Sequence, residues 1–166
     1  VYLNLRDLEE NPVTLHGTLN MDDAVTGRND LRLKGPVDVR LEARMDSGTA
    51  IVYGTLTADM EIICSRCLHK ADRQLEIPVT EMFTTRPGNA ELDEDIHLVT
   101  EDKIELQPYL REALVVQLPI AAICKDDCEG LCPTCGANRN EETCECVQER
   151  IDPRLAGLKD FFKHSN

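Results

Sequence analysis

The chain predicts an α+β protein. Its core is an antiparallel β-sheet meander, either open or partly closed as a barrel, capped by one helix. A C-terminal cysteine-rich zinc-binding segment and a short terminal helix follow. Three observations carry this. The first half alternates apolar and polar residues, the period of a strand with one buried face. One window, about 105–118, changes to the 3.6-residue period of a helix. The eight cysteines fall into one isolated CxxC and one dense cluster.

In order along the chain, residues 13–21 (VTLHGTLNM) place Val13, Leu15, Leu19 and Met21 on one side of a strand. Residues 31–45 alternate more cleanly. Leu31, Leu33, Val37, Val39, Leu41, Ala43 and Met45 share one face, and Arg32, Lys34, Asp38, Arg40, Glu42 and Arg44 the other. Gly35-Pro36 marks a bulge or bend within this run. Asp46-Ser47-Gly48 is turn chemistry. A strand over about 50–63 then turns Val52, Leu56, Ala58, Met60 and Ile62 inward, with Cys64 continuing that parity, and a further strand over about 70–83 does the same with Ala71, Leu75, Ile77 and Val79. Residues 84–95 read as a polar, acidic loop, and Ile96–Val99 as a short strand. Gln107-Pro108 opens the helix, since proline suits the first helical turn. Leu106, Leu110, Ala113, Leu114 and Leu118 form its apolar stripe before Pro119 stops it. Asp152-Pro153 starts the terminal helix, whose stripe of Leu155, Leu158, Phe161 and Phe162 either packs back on the protein or docks a partner. The expected organisation is a sheet domain over 1–120 and a cysteine-rich tail over 121–166, packed as one unit.

Cys64 and Cys67 sit in the turn between the two longest strands, the placement of a zinc knuckle. A thioredoxin-type CxxC would instead lie at a strand-to-helix junction. Cys124, Cys128, Cys132, Cys135, Cys144 and Cys146 follow in a C-x3-C-x3-C-P-x-C-G-x7-C-x-C array. The glycine of C-P-x-C-G permits a positive φ that turns backbone amides toward thiolate sulfurs. Eight thiolates suit one or two closed structural zinc ions. One division pairs Cys64 and Cys67 with Cys124 and Cys128, leaving Cys132, Cys135, Cys144 and Cys146. A rival division gives the tail site Cys128, Cys132, Cys135 and one of the last pair.

The chain opens VYLNLRDLEE, without the basic region and apolar run of a signal peptide, and no apolar run is long enough to span a membrane. A cytoplasmic location is therefore expected, where eight cysteines favour metal over four disulfides. The net charge is −13. It is concentrated late, since residues 74–166 carry nine Lys or Arg against nineteen acids. Two tetrathiolate zinc centres would each add about −2. Such a surface repels polyphosphate and suits a basic protein partner.

A catalytic constellation is not legible. His16, His69, His97 and His164 are scattered, no H-x-E stands beside a cysteine pair, and no nucleophile elbow, phosphate loop or dinucleotide fingerprint occurs. The expectation is a protein that is not an enzyme and has no small-molecule substrate. Arg66, Lys70 and Arg73, with His69, surround the knuckle, and Arg40 and Arg44 on a neighbouring strand are candidates to join them in a local phosphate or RNA contact. Six Phe and Tyr in all are too few for a base-stacking surface.

The opening VYLNLRDL, the knuckle ICSRCL, the array CKDDCEGLCPTCGANRN…CEC and the ending DPRLAGLKDFF resemble the YceD family, the large ribosomal RNA subunit accumulation proteins. The resemblance implies a role in accumulating 23S ribosomal RNA, with a large-subunit ribosomal protein or a pre-50S particle as partner and no established catalytic residue. Cys64 and Cys67 match the family's central motif, and the tail cysteines match its cysteine-rich members. A different class remains open: a thiol or zinc redox sensor, or an oxidoreductase, using Cys64 and Cys67, which requires an accessible low-pKa thiolate.

Overall fold

The structure, a computed structural model, describes residues 1–146. Its main sheet is built on two long strands that the alternation dictates. They are β5 (Thr49–Ile63) and β6 (Lys70–Thr84), paired antiparallel along their whole length from Thr49↔Thr84 to Ile63↔Lys70. β4 (Val37–Asp46) returns on the other side of β5, and β2 (Val13–Leu19) pairs with β4 as an edge strand. β3 (Leu31–Leu33) lies beyond the Gly35-Pro36 bend and also pairs with β5.

The bend is a two-residue insertion. Leu33 faces Met60 and Asp38 faces Thr57, so Lys34–Val37 stand opposite only Ala58 and Asp59. Side chains alternate with period two, and an even insertion leaves the parity unchanged. Leu31, Leu33, Val37, Val39, Leu41 and Ala43 therefore all stay on the buried face, as the pattern requires. From β5, Ala50, Val52, Leu56, Ala58, Met60 and Ile62 join them, and from β6, Ile77, Val79 and Phe83.

The buried face is covered by α2 (Gln107–Gln117), through Leu110 and Leu114 with Leu106 and Leu118 at its two ends. Pro108 lies in the first turn, and Leu118 is already extended (ψ 132°) ahead of Pro119, the conformation a following proline imposes. The rest of the cover has a weak sequence signature. β1 (Tyr2–Asn4) pairs antiparallel with β8 (Lys103–Glu105), and 3₁₀ turns follow at Leu5–Leu8 and Asp22–Val25. Leu3, Leu5, Leu8, Met21 and Ile104 carry these pieces into the core.

Three expectations need correction. Among the described residues the sheet does not close: its strand path runs β2-β4-β5-β6 and then β7 (Ile96–Leu98), with β2 and β7 at its edges. The pairing is not wholly antiparallel. β7 runs parallel to β6, Met82↔Ile96 to Thr84↔Leu98. A parallel neighbour needs a crossover, and the segment expected as a polar loop supplies it, with a short helix α1 (Pro87–Ala90) inside it. Met21, expected on a strand, is buried just past the end of β2. The predicted terminal helix, with Leu155, Leu158, Phe161 and Phe162, lies outside the described residues.

Glu61 ties three strands on the outer face. Its carboxylate accepts from Arg32 Nε at 2.9 Å and lies 3.3 Å from Lys70 Nζ. Arg32 foremost, against partial desolvation and with help from Lys70, brings its pKa down to about 2. A carboxylate whose pKa is depressed by folding stabilises the fold above its unfolded pKa and loses that contribution as pH falls through the folded value. Glu61→Gln is therefore expected to flatten the acid limb of a stability–pH profile between about pH 4.5 and 2, measured by urea midpoints.

Candidate metal centres

The first centre begins where β5 ends. Cys64 continues the inward parity of Ile62 and is fully buried. The chain then closes a tight turn. Leu68 N–H donates to the Cys64 carbonyl (2.8 Å), and Cys64 N–H donates to the His69 carbonyl (2.9 Å). Leu68 takes φ 61°, a left-handed conformation rare for a bulky residue. The turn aims the Cys67 amide at Cys64 Sγ, 3.5 Å away, and leaves both sulfurs on the side facing the tail.

The tail is fastened to this turn by its backbone. Ser65 N–H donates to the Ala122 carbonyl (2.8 Å), and Leu131 N–H to the Arg66 carbonyl (3.1 Å). Gly130, at φ 75°, lets the tail pass this close: a Cβ there would stand 3.1 Å from the Arg66 carbonyl oxygen. The approach brings Cys64 Sγ to 3.8 Å from Cys128 Sγ and Cys67 Sγ to 3.7 Å from Cys124 Sγ. The ligand atoms of Cys64, Cys67, Cys124 and Cys128 all lie within 4.8 Å of one another. A zinc tetrathiolate with bonds of about 2.3 Å has sulfur–sulfur edges of about 3.8 Å, so the cluster has the dimensions of a tetrahedral site.

Cys132, Cys135, Cys144 and Cys146 form a second group with the same mutual limit of 4.8 Å. This is the first of the two divisions left open by the sequence; Cys128 groups with the knuckle. Gly136 takes the positive φ expected of it (77°), and its N–H donates to the Cys132 carbonyl at 2.8 Å. The amides of Cys135 and Thr134 point at Cys132 and, against burial, bring its thiol down to about 6.

The thiols of each group oppose one another. Burial alone would raise Cys64, but the amides of Cys67, Cys124 and Arg66 outweigh it and bring the thiol to about 6. Burial and then the sulfurs of Cys128, Cys67 and Cys64 push Cys124 up to about 12. In the second group the Cys135 sulfur, followed by burial, pushes Cys146 up to about 12. One sulfur in each cluster ionises readily and another resists, because a second negative charge beside the first is costly. A divalent cation removes that conflict by neutralising the cluster from its centre. The donor set thus fits a soft, tetrahedral divalent ion such as zinc in both groups.

Arg66, Lys70 and Arg73 lie around the knuckle, each with a protein partner. Arg66 donates to the carbonyl of Cys128 (3.1 Å) and lies 3.5 Å from that of Asp126. Arg73 grips the Ile123 carbonyl with Nε and one terminal nitrogen, each at 3.2 Å. Lys70 pairs with Glu61. Arg40 and Arg44 do not join them. They face Thr55 and Ile51, nine and thirteen residues before Cys64 along β5, so about 30 and 43 Å away at strand rise. The meander explains this: the turn after β4 and the turn after β5 lie at opposite ends of the sheet. Arg66 and Arg73 are clamps on the tail, as is His69, while Asn140 braces the tail from within. His69 Nδ1 lies 3.3 Å from Asn138 Nδ2, and Asn140 Nδ2 donates to Cys128 Sγ at 3.4 Å. Because Arg66 is exposed, Arg66→Ala is expected to cost only about 1 kcal/mol. It should nonetheless speed cleavage of the 121–146 segment several-fold in limited proteolysis, with the sheet's resistance unchanged.

These features define a class: an open β-sheet whose longest hairpin ends in a half-site of two thiols, completed by a tail that carries a second four-thiol group. The family model described as "Large ribosomal RNA subunit accumulation protein YceD" matches residues 52–162, from β5 through the cysteine array. The chain belongs to the YceD family. It is similar to the uncharacterized protein YlbN of Bacillus subtilis (27% identity, 90% of this chain and 87% of that protein). It is also similar to the uncharacterized protein Rv2926c of Mycobacterium tuberculosis (30% identity, 76% of this chain and 62% of that protein). A shorter likeness, 34% identity over 46% of this chain and 27% of the relative, links it to the Zea mays protein named large ribosomal RNA subunit accumulation protein YCED homolog 1, chloroplastic. No solved structure matches. Among the described residues, no helix is long and apolar enough to cross a membrane.

Proposed function

We propose that this protein is a non-enzymatic factor in biogenesis of the large ribosomal subunit. It supports accumulation or processing of 23S rRNA by holding a basic large-subunit ribosomal protein, free or on a pre-50S particle. The observation that carries this is family membership over β5, β6 and the cysteine array, together with the name borne by the plant relatives. The net charge of −13 supports a basic protein as the direct partner over bare RNA.

In this reading both cysteine groups hold structural zinc, and the first ion joins the tail (121–166) to the sheet (1–120) as one unit. When bound, the ions supply cross-links and no chemistry. What supports this over a thiol oxidoreductase is the burial of Cys64 and Cys67 (0% and 3% exposed), each with its sulfur against a tail cysteine. An attacking thiolate must be reached by its substrate.

Depletion of the protein in its own host tests the role. Mature 23S rRNA is expected to fall and its precursors to rise, with 16S rRNA unchanged. An equal effect on both subunits, or none, contradicts it.

A further inference from the structure

Among the described residues, the outer edge of β6 is open over most of its length. β7 pairs with it only at Met82–Thr84, and at the other end Arg73 holds the tail through Ile123. Between them, Gln74–Glu81 pair on one side with β5 and, among the described residues, with no strand on the other. Eight residues of free strand edge span about 26 Å. Pro78 lies within this stretch, the edge placement to which prolines in sheets are confined.

A groove of about 490 Å³ runs along the β7 end of this edge, floored by Pro78, Thr80 and Met82 and walled by α2. Val116 on that wall is 73% exposed. Glu81, Glu94, Asp95 and Glu112 line the groove, and no Lys or Arg does. His97 is the one group there able to carry positive charge, and it is engaged with Glu81 (2.9 Å) and packed against Phe83 and Tyr109. Three features thus coincide among the described residues: unpaired backbone groups of a strand edge, an exposed aliphatic wall, and four carboxylates with no Lys or Arg beside them in the groove, Glu81 alone being held by His97.

We propose that this groove receives an extended segment of a protein partner, rich in arginine and lysine and interspersed with aliphatic residues, added as a strand along β6 in line with β7. Strand addition supplies affinity through main-chain hydrogen bonds, and alternate side chains supply selectivity. Here one face of the added strand meets Val116 and its basic side chains meet the carboxylates. Opposite charge raises the encounter rate and rejects acidic competitors. The inference rests on the proposed function for the partner's class and adds the place and manner of its binding.

The test uses the full chain and a synthetic peptide alternating arginine with valine, followed by fluorescence anisotropy at low salt. Glu94→Gln/Asp95→Asn/Glu112→Gln is expected to weaken binding at least tenfold. Glu9→Gln/Glu10→Gln/Glu101→Gln, an equal charge change elsewhere, should alter it less than twofold. N-methylation of the peptide's alternate amides should abolish binding, since it removes strand pairing without removing charge. Equal loss in both triple variants, or undiminished binding of the N-methylated peptide, overturns the proposal. So does preference for a single-stranded RNA over the peptide. A parallel pull-down separates the two levels. If wild type and groove variant both retain large-subunit ribosomal proteins, the groove is wrong and the proposed function stands. If the peptide binds as expected but no ribosomal component is recovered, the groove stands and the proposed function fails.

Discussion

With zinc in both cysteine groups as proposed, Cys64→Ser is expected to remove one of the two ions and to lower the melting temperature by roughly 10 °C, the equivalent of about 3 kcal/mol for a chain of this size. Cys64 is fully buried at the end of β5, and its sulfur lies 3.8 Å from Cys128. Structural zinc sites contribute on the order of 10 kcal/mol to folding in isolated peptides. The sheet has its own apolar core, so the whole of that energy need not be lost from it. The hydroxyl left at a dry position and the freed tail together set the lower figure. The tail should then be cleaved rapidly around residues 121–131. Cys146→Ser supplies the contrast, because its group lies wholly within the tail. It is expected to lose the other ion yet move the melting transition by less than about 1 kcal/mol. Metal analysis with thermal unfolding reads both; similar shifts for the two variants would contradict the assignment of the first site as the fastener.

The second large effect lies far from any cysteine. Gly54 faces Leu41 across the β4–β5 ladder. A Cβ built there would stand 2.1 Å from the Arg40 carbonyl oxygen and 2.8 Å from Leu41 Cα. Backbone atoms cannot swing aside as a flexible side chain would, so the added methyl must push the strands apart. Gly54→Ala is expected to destabilise the protein by about 3 kcal/mol, the upper end for inserted carbon in a packed interior. It should show as a lowered urea midpoint with the zinc content unchanged. Gly54 interrupts an otherwise regular inward series from Ala50 to Ile62, and this close backbone approach accounts for it.

The residues reveal the two long strands and the helix because each has a buried face with its own period. Leu106, Leu110, Leu114 and Leu118 repeat at helical spacing, and Val52 through Ile62 alternate. The knuckle is equally legible, since a half-site of two thiols must find two more, but the spacing leaves Cys128 open to either group and only the fold places it beside Cys64. The parallel course of β7 is not legible: three residues carry no period, and direction is set by how the 85–95 segment crosses over. The two-residue bulge is half legible, as Gly35-Pro36 marks its place and only the pairing shows its size. That Arg40 and Arg44 lie away from the knuckle is not legible without strand register. Arg40 and Arg44 project from a strand beside β5, yet register puts them toward its other end. Arg66 and Arg73 carry the charge of a phosphate site, but their carbonyl partners lie 62 and 50 residues away in sequence, beyond any local signal.

In the proposed reading, a metal ion shared between hairpin and tail holds the molecule together. Native mass spectrometry of the full chain, with and without a thiol-alkylating reagent, tests it most directly. Two zinc ions per chain with all eight cysteines protected is the predicted result, falling to one ion in Cys124→Ser. A metal-free folded chain whose Cys64 and Cys67 are alkylated at the rate of exposed thiols would contradict it.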